Sequence, residues 1–266
     1  IREWHYVSTA YVAGTRRGLV AEDESLQGRE FGNDYESSKA QAEMMLRQSD
    51  EIDSLTVYRP SIVLEFDSKA TPRADQTISQ TFSVYRSLAS EMGLPDRGAL
   101  LKSLALNGNE GKNLVSASWV GQLIAEIWRH PDLHGRTYHL TNQRTVSVAQ
   151  LEDSFYLAVE SMDAASQRTG LNRPATSKVA DWSGIESLAG PFVAAFQPYF
   201  RDDPQFGRVA TEHALSRLGI ADQSLPSLDE LKQFCVASTR GASSQDAAKC
   251  THESLVALPE YSTVAS

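Results

Sequence analysis

Two apolar, β-branched runs with a helical stretch between them constrain this chain more than any other feature. HYVSTAYVA, residues 5 to 13, is rich in Val, Tyr and Thr and fits a buried strand ending near Gly14. LTVYRPSIVLEF, 55 to 66, is the second run, and its Pro60 demands a strand end or an edge. Between them, residues 15 to 32 read as charged loop. Asp34 reads as an N-cap and 35 to 48 as a helix, with Tyr35, Ala42, Met45 and Leu46 on its apolar face.

The alternation continues for a while. Residues 67 to 75 read as polar loop. Ile78, Phe82, Tyr85, Leu88 and Met92 repeat at helical spacing up to Gly93. A core role suits that stripe, and an acyl channel is its other reading. LLKSLAL, 100 to 106, suits a strand and GNEGKN a turn. Ser118 suits the cap of a helix with Val120, Leu123, Ile124 and Ile127 on one face. TYHLT, 137 to 141, is a short strand, and Ser147 opens a helix with Leu151, Phe155 and Ala158. Residues 161 to 182 look polar and irregular. FVAAFQPYF, VATEHALSRLGI and SLDELKQFCVAS read as three further helices, and the tail from about 240 reads as disordered.

The reading is an α/β chain, with a partial Rossmann-like parallel sheet and a mostly helical C-terminal substrate-binding part. Its expected domains are 1–160 for the sheet, 161–238 for the helical cap and 239–266 for the tail. The chain begins on Ile1 inside a strand-like run, which reads as an amino end cut short.

Composition excludes some partners. A net charge of -9 and a pI near 5.2 repel nucleic acid and anionic membrane. No apolar run approaches a membrane span and no signal peptide is visible, so a cytoplasmic location is expected. Cys235 and Cys250 are too few for a disulfide scaffold or a zinc site and read as free thiols. His130 and His134 are four apart, but Pro131 and Gly135 break that stretch. It reads as a solvated loop, and no metal site is expected.

Three pieces carry chemistry when taken together. VSTAYV places the hydroxyls of Ser8 and Thr9 at a strand end. NDYESSKAQAE places Lys39 one helical turn after Tyr35. YRPSIV, 58 to 63, follows at the end of the next strand. A carbonyl that receives a hydride develops negative charge on oxygen and needs a proton at that moment. A free phenol, with a pKa of about 10, is a sluggish acid near neutrality. An ammonium one turn away favours its ionised form. Open parallel sheets put such groups outside the carboxyl ends of their strands, where Thr9 and Ser61 fall. Tyr35 and Lys39 alone suit a half-buried aromatic and a solvated lysine better than a site. The three pieces in order on strand, helix and strand are what single the site out.

These motifs resemble the extended short-chain dehydrogenases/reductases, and within them the fatty acyl-CoA reductase, male-sterility and thioester-reductase branch. NLVSASWVGQLIAEIW followed by GRTYHLTNQRTVSVAQL is similar to that family's late strand–helix–strand segment. The resemblance covers roughly residues 1 to 160. It implies Thr9 as the hydrogen-bonder of the substrate oxygen, with Ser8 beside it. It implies Tyr35 as general acid/base, and Lys39 as its tuner and a ribose ligand. Pro60, Ser61, Ile62 and Val63 would line the nicotinamide. The implied cofactor is NADP or NAD, with NADP first. The implied partner is a small acyl or carbonyl substrate, with a complementary N-terminal chain or a homodimer completing the site.

The chain departs from that pattern in three places. It holds no glycine-rich pyrophosphate turn. Ser118 stands where the family has Asp, and 65 to 76 lack the usual glycines. Three readings follow. The first is the carboxyl-terminal part of a reductase of an acyl thioester, aldehyde or ketone. The second is a sugar-nucleotide or sterol-type epimerase, dehydratase or dehydrogenase with the same Thr/Tyr/Lys set. The third is a non-catalytic scaffold that needs a partner chain.

Overall fold

A computed structural model describes residues 2–66, 77–94, 96–168 and 200–239. The readings for 67–75, FVAAFQPYF, Cys250 and the tail lie on residues outside those, apart from Phe200. The chain divides into two compact units, each built from three separate stretches. The first unit takes Ile1–Phe66, Glu110–Ser147 and Arg201–Ser227. Its centre is a parallel sheet of β1 (Glu3–Val7), β3 (Ser54–Pro60) and β7 (Thr137–Leu140), with β3 in the middle. The α/β reading with a parallel sheet holds, and its fold is Rossmann-like.

The middle strand is apolar because both of its faces are covered. Residues Thr56 to Pro60 are all buried. Tyr58, Tyr138 and Leu140 pack against Val120, Leu123 and Ile127 of helix α4 (Ala117–Arg129), the face that helical spacing picked out. Helix α6 (Val209–Leu218) closes the same core with Ala214 and Leu215. Short pairs flank the sheet. β2 (Leu19–Val20) joins β9 (Gln205–Phe206), β4 (Ile62–Leu64) joins β6 (Leu114–Ser116), and β5 (Gly111–Lys112) joins β8 (Val146–Ser147).

Several expectations need correction. The run 5 to 13 is not one buried strand. β1 stops at Val7, and residues Ala10–Ala13 form a 3-10 turn capped by Thr9. Moreover β1 is an edge strand, with Trp4 and Val7 exposed. The run 55 to 66 breaks at Ser61, because residues 62 to 64 leave β7 and pair with β6 instead. Helix α1 spans Asp34–Arg47, and Asn33 rather than Asp34 caps it by accepting the Glu36 N–H. Its buried face is Glu36, Ala40 and Glu43, while Tyr35 and Met45 are exposed. An apolar pattern misplaces this face because α1 docks through buried carboxylates. The cap residue of α4 is Ser116, not Ser118.

The second unit takes Asp67–Asn109, Val148–Phe200 and Leu228–Ser266. Its described elements are helices α2 (Thr77–Met92), α3 (Ala99–Ser103), α5 (Val148–Arg168) and α7 (Leu228–Ser238). The first four residues of LLKSLAL are therefore helical and the rest is turn, not a strand, and the Glu152 carboxylate accepts the Leu100 N–H at the start of α3. Residues 161 to 168 continue α5 rather than being irregular. Phe82 and Tyr85 of the α2 stripe are fully buried against Phe155, which is the core role. Cys235 is a buried free thiol, and burial pushes it up to about 12. Among the described residues, no helix is long and apolar enough to cross a membrane.

Candidate active site

The carboxyl ends of the three parallel strands gather the residues that the motifs single out. Val7 of β1 stands opposite Tyr58 of β3, and Pro60 stands opposite Leu140 of β7. Ser8 follows directly. Its N–H donates to the Tyr58 carbonyl at 2.7 Å, so it stays attached to the sheet edge. The Ser8 hydroxyl is buried and has no hydrogen-bond partner among the described residues. Thr141, directly after β7, has a buried hydroxyl in the same state. A buried hydroxyl without a partner costs about 1 to 3 kcal/mol. Two of them at one sheet edge mark a place built to meet something else.

Thr9 is also buried. Its hydroxyl accepts from the Tyr11 N–H at 3.3 Å and donates to the Pro60 carbonyl at 3.4 Å. One side chain thus starts the 3-10 turn and ties it to the end of β3. That turn holds α1 in place, since Val12 packs with Leu26, Ala40, Phe31 and Met44. Gly14 ends the turn at φ 65, a left-handed value that suits glycine.

Helix α1 then presents Tyr35 and Lys39 one turn apart. The Lys39 ammonium donates to the Val7 carbonyl at 3.2 Å and lies 5.5 Å from the centre of the Tyr6 ring. Lys39 is therefore brought to the carboxyl end of β1, next to Ser8. Tyr35 is half-exposed, with 53% of its surface open. Tyr6 beneath it has its phenol raised, first by burial and then by the Glu43 and Tyr35 charges. On the β3 side, the Ser61 hydroxyl is committed to Asn113 Oδ1 at 2.8 Å. Ile62 and Val63 are only partly buried, and Val63 packs against the α4 core. Thus Ser8, Thr9, Lys39 and Pro60 meet at one edge. Tyr35 shares the helix of Lys39, and Ser61 to Val63 lead away from the edge.

Motif reading missed several buried polar residues around this edge. The Arg59 guanidinium, 1% exposed in β3, forms a two-pronged pair with Glu43 of α1, at 3.1 and 2.6 Å. Glu36 of α1 accepts from Arg201 at 2.7 Å. Asp203 accepts the Tyr11 phenol at 2.7 Å and the Asn113 N–H at 2.7 Å, and pairs with buried Lys112. The Tyr11 phenol is raised well above its ordinary range, by burial first and then by Asp203. The Asn113 side chain clasps the Asn142 backbone, donating to its carbonyl and accepting its N–H, and both residues line a polar cleft of about 580 Å³ with Arg144, Asp203 and Arg208. The visible signals were an Arg inside an apolar strand run and a Glu in register with Ala40 on α1.

Comparison with known proteins follows from this geometry. Residues 1–104 match the family model described as male sterility protein, an NAD-binding family. The fold is Rossmann-like and is shared with solved structures of low sequence identity. It is similar to the terminal R domain from the myxalamid PKS-NRPS biosynthetic pathway, with 19% identity and a TM-score of 0.57. That match covers 91% of this chain and 59% of the other. A thiolation-reductase di-domain from an archaeal non-ribosomal peptide synthetase is 12% identical, with a TM-score of 0.56 over 90% of this chain and 49% of that one. MoeE5 in complex with UDP-glucose and NAD is 16% identical, with a TM-score of 0.50 over 90% and 66%. The chain therefore spans about half to two thirds of the length of these structures. Among curated proteins, none matches in sequence.

Proposed function

We propose that this chain supplies the proton-transfer half of an NAD(P)H-dependent reductase acting on an acyl thioester, aldehyde or ketone. One observation carries the reading. The ammonium of Lys39, from the helix that bears Tyr35, rests on the end of β1 beside the buried, unpartnered Ser8 hydroxyl and the adjacent Thr9. In this reading Tyr35 is the general acid that protonates the carbonyl oxygen. Lys39 supplies positive charge one turn away and meets ribose hydroxyls. The unpartnered Ser8 hydroxyl holds the substrate oxygen, and Thr9 joins it by turning its proton from the long 3.4 Å contact with the Pro60 carbonyl.

The fold implies a nicotinamide cofactor, and the residues present fit one end of it. Lys39 and Ser8 offer a cation and a free hydroxyl where ribose and nicotinamide would lie. The pyrophosphate finds no such welcome. The start of α1 carries Asp34 and Glu36, and the Asn33 side chain already takes the Glu36 N–H. When bound, the dinucleotide supplies the hydride, with NADP preferred over NAD. The residues of this chain orient the acceptor and deliver the proton.

The polar cleft favours a second reading, a sugar-nucleotide substrate, because its Asn and Arg lining offers hydrogen bonds to a hydroxylated ligand rather than to an acyl chain. The test follows nicotinamide oxidation with an acyl thioester, an aldehyde and a UDP-sugar. It uses the polypeptide that carries these residues in the cell, as wild type and as Tyr35→Phe. Turnover of the thioester or aldehyde that falls about 10²- to 10⁴-fold in Tyr35→Phe, with cofactor affinity nearly unchanged, supports the proposal. Turnover that survives the substitution sinks the acid assignment. Activity only on the UDP-sugar selects the second reading.

A further inference from the structure

The opposite, amino-terminal edge of the sheet holds a second cluster. Glu3 and His5 sit on β1, and His134 lies just before β7. The sequence places His134 in a solvated loop, yet its side chain is only 6% exposed. One ligand atom from each of the three residues lies within 4.8 Å of the other two. We propose that Glu3, His5 and His134 form a binding site for a zinc-type divalent transition-metal ion, which ties the start of β1 to the loop before β7.

The hydrogen bonds fix which atoms face inward. His134 Nε2 lies 3.1 Å from the carbonyls of both Ile127 and Trp128. A carbonyl only accepts, so Nε2 carries the proton and the lone pair of the neutral ring is on Nδ1. Nδ1 faces the Glu3 carboxylate at 3.2 Å. A lone pair against a carboxylate needs a positive charge between them, either a proton or a metal ion. His5 decides between these. Its Nδ1 is held by the Tyr58 hydroxyl at 2.9 Å, and its buried Nε2 has no hydrogen-bond partner among the described residues. A proton on His134 would satisfy Glu3 alone. A metal ion satisfies both ring nitrogens and the carboxylate at once.

The outer contacts also match the habit of metal-binding histidines, which hand their second ring nitrogen to a carbonyl or another polar group. The two rings meet edge-on with centroids 4.6 Å apart, so their ligand atoms converge without stacking. Two imidazoles and a carboxylate suit zinc, with Zn–N and Zn–O bonds of about 2.0 to 2.2 Å. The half-exposed Glu3 has room to close the remaining distance.

The experiment titrates the chelator-stripped chain with Zn²⁺ by calorimetry and with Co²⁺ by visible absorption. Wild type, Glu3→Gln, His5→Gln and the remote His213→Gln are compared. One equivalent is expected to bind, with a rise in Tm. Even outer partners of metal-bound histidines are worth about 10- to 100-fold, so Glu3→Gln and His5→Gln should each weaken binding by more than about tenfold. His213→Gln should change nothing. Glu3 is half-exposed, so Glu3→Gln keeps the fold and remains informative if the His5 variant unfolds. No binding to wild type, or equal binding to Glu3→Gln, overturns the proposal and leaves a plain Glu3–His134 ion pair.

Discussion

Glu43 is fully buried, and its charge is held in place by two arginines. Burial alone would raise its carboxyl. Hydrogen bonds and charge from Arg59, then from Arg47, outweigh that and hold it below the ordinary carboxylate range. A carboxylate with a lowered folded pKa stabilises the fold above its unfolded value, about 4.3, and that stability is lost as pH falls through the folded value. Glu43→Gln leaves the Arg59 guanidinium buried beside a neutral amide, which should cost about 3 kcal/mol. Urea unfolding at pH 7 and at pH 3 checks this. The loss should be larger at pH 7 than at pH 3, and an equal loss at both would sink the account. The sequence shows Glu43 and Arg59 only as a helix glutamate and a strand arginine. Their partnership spans β3 and α1, and no local pattern encodes which face of α1 turns inward. For that reason hydropathy assigned Met45 to the buried face and the structure assigns Glu43. Tyr35, Lys39, Ser8 and Thr9 are singled out by their spacing along strand and helix, and the structure brings Lys39, Ser8 and Thr9 to one sheet edge.

Between Val7 and Asp34 the elements are short, and turn chemistry replaces periodicity. The Thr9 cap and the left-handed Gly14 convert what reads as a continuing strand into a 3-10 turn. A Cβ on Gly14 would lie 2.0 Å from the Glu30 carbonyl oxygen. Gly14→Ala should therefore destabilise the first unit by more than about 1 kcal/mol and loosen the seat of α1. Thermal unfolding checks the first effect, and faster hydrogen exchange at Val12 and Ala40 checks the second. In β7, His139 is buried between Gly207 and Arg59. Burial, and then the Arg59 charge, lower it from 6.5 to about 3, so it is neutral in the folded chain. A lowered folded pKa contributes stability that is present above 6.5 and lost as pH falls toward 3. Unfolding should take up one extra proton across that window. His139→Gln should remove that uptake and flatten stability against pH between 6 and about 4. A slope unchanged by the substitution would place the titrating group elsewhere.

At the scale of the whole chain, the α/β alternation was legible and the interleaving was not. β2 pairs with β9 across some 185 residues, and Glu22 accepts from the first N–H groups of α6 at 2.6 and 3.1 Å. Neither leaves a trace in any local window, because pairing over such separations is decided by packing rather than propensity. What the sequence does show at this scale is its glycines. None of the 16 stands in the spacing that cradles a pyrophosphate. The male-sterility match ends at residue 104, and the similar R domain is covered over 59% of its length. The proton-transfer residues and the dinucleotide cradle are thus separable parts of one chemistry. In the proposed reading these 266 residues carry the first, and their glycines show no spacing for the second. Titration of this chain with NADPH and with NADH, followed by the fluorescence of the reduced ring, should therefore show no saturation below about 1 mM, a binding energy weaker than about 4 kcal/mol. Lys39→Met should not change that result. Saturation in the micromolar range would mean that the polar edge lined by Ser8, Thr141 and Lys39 holds the dinucleotide by itself. The binding should then weaken in Lys39→Met, and the reductase reading would stand without a glycine-rich turn.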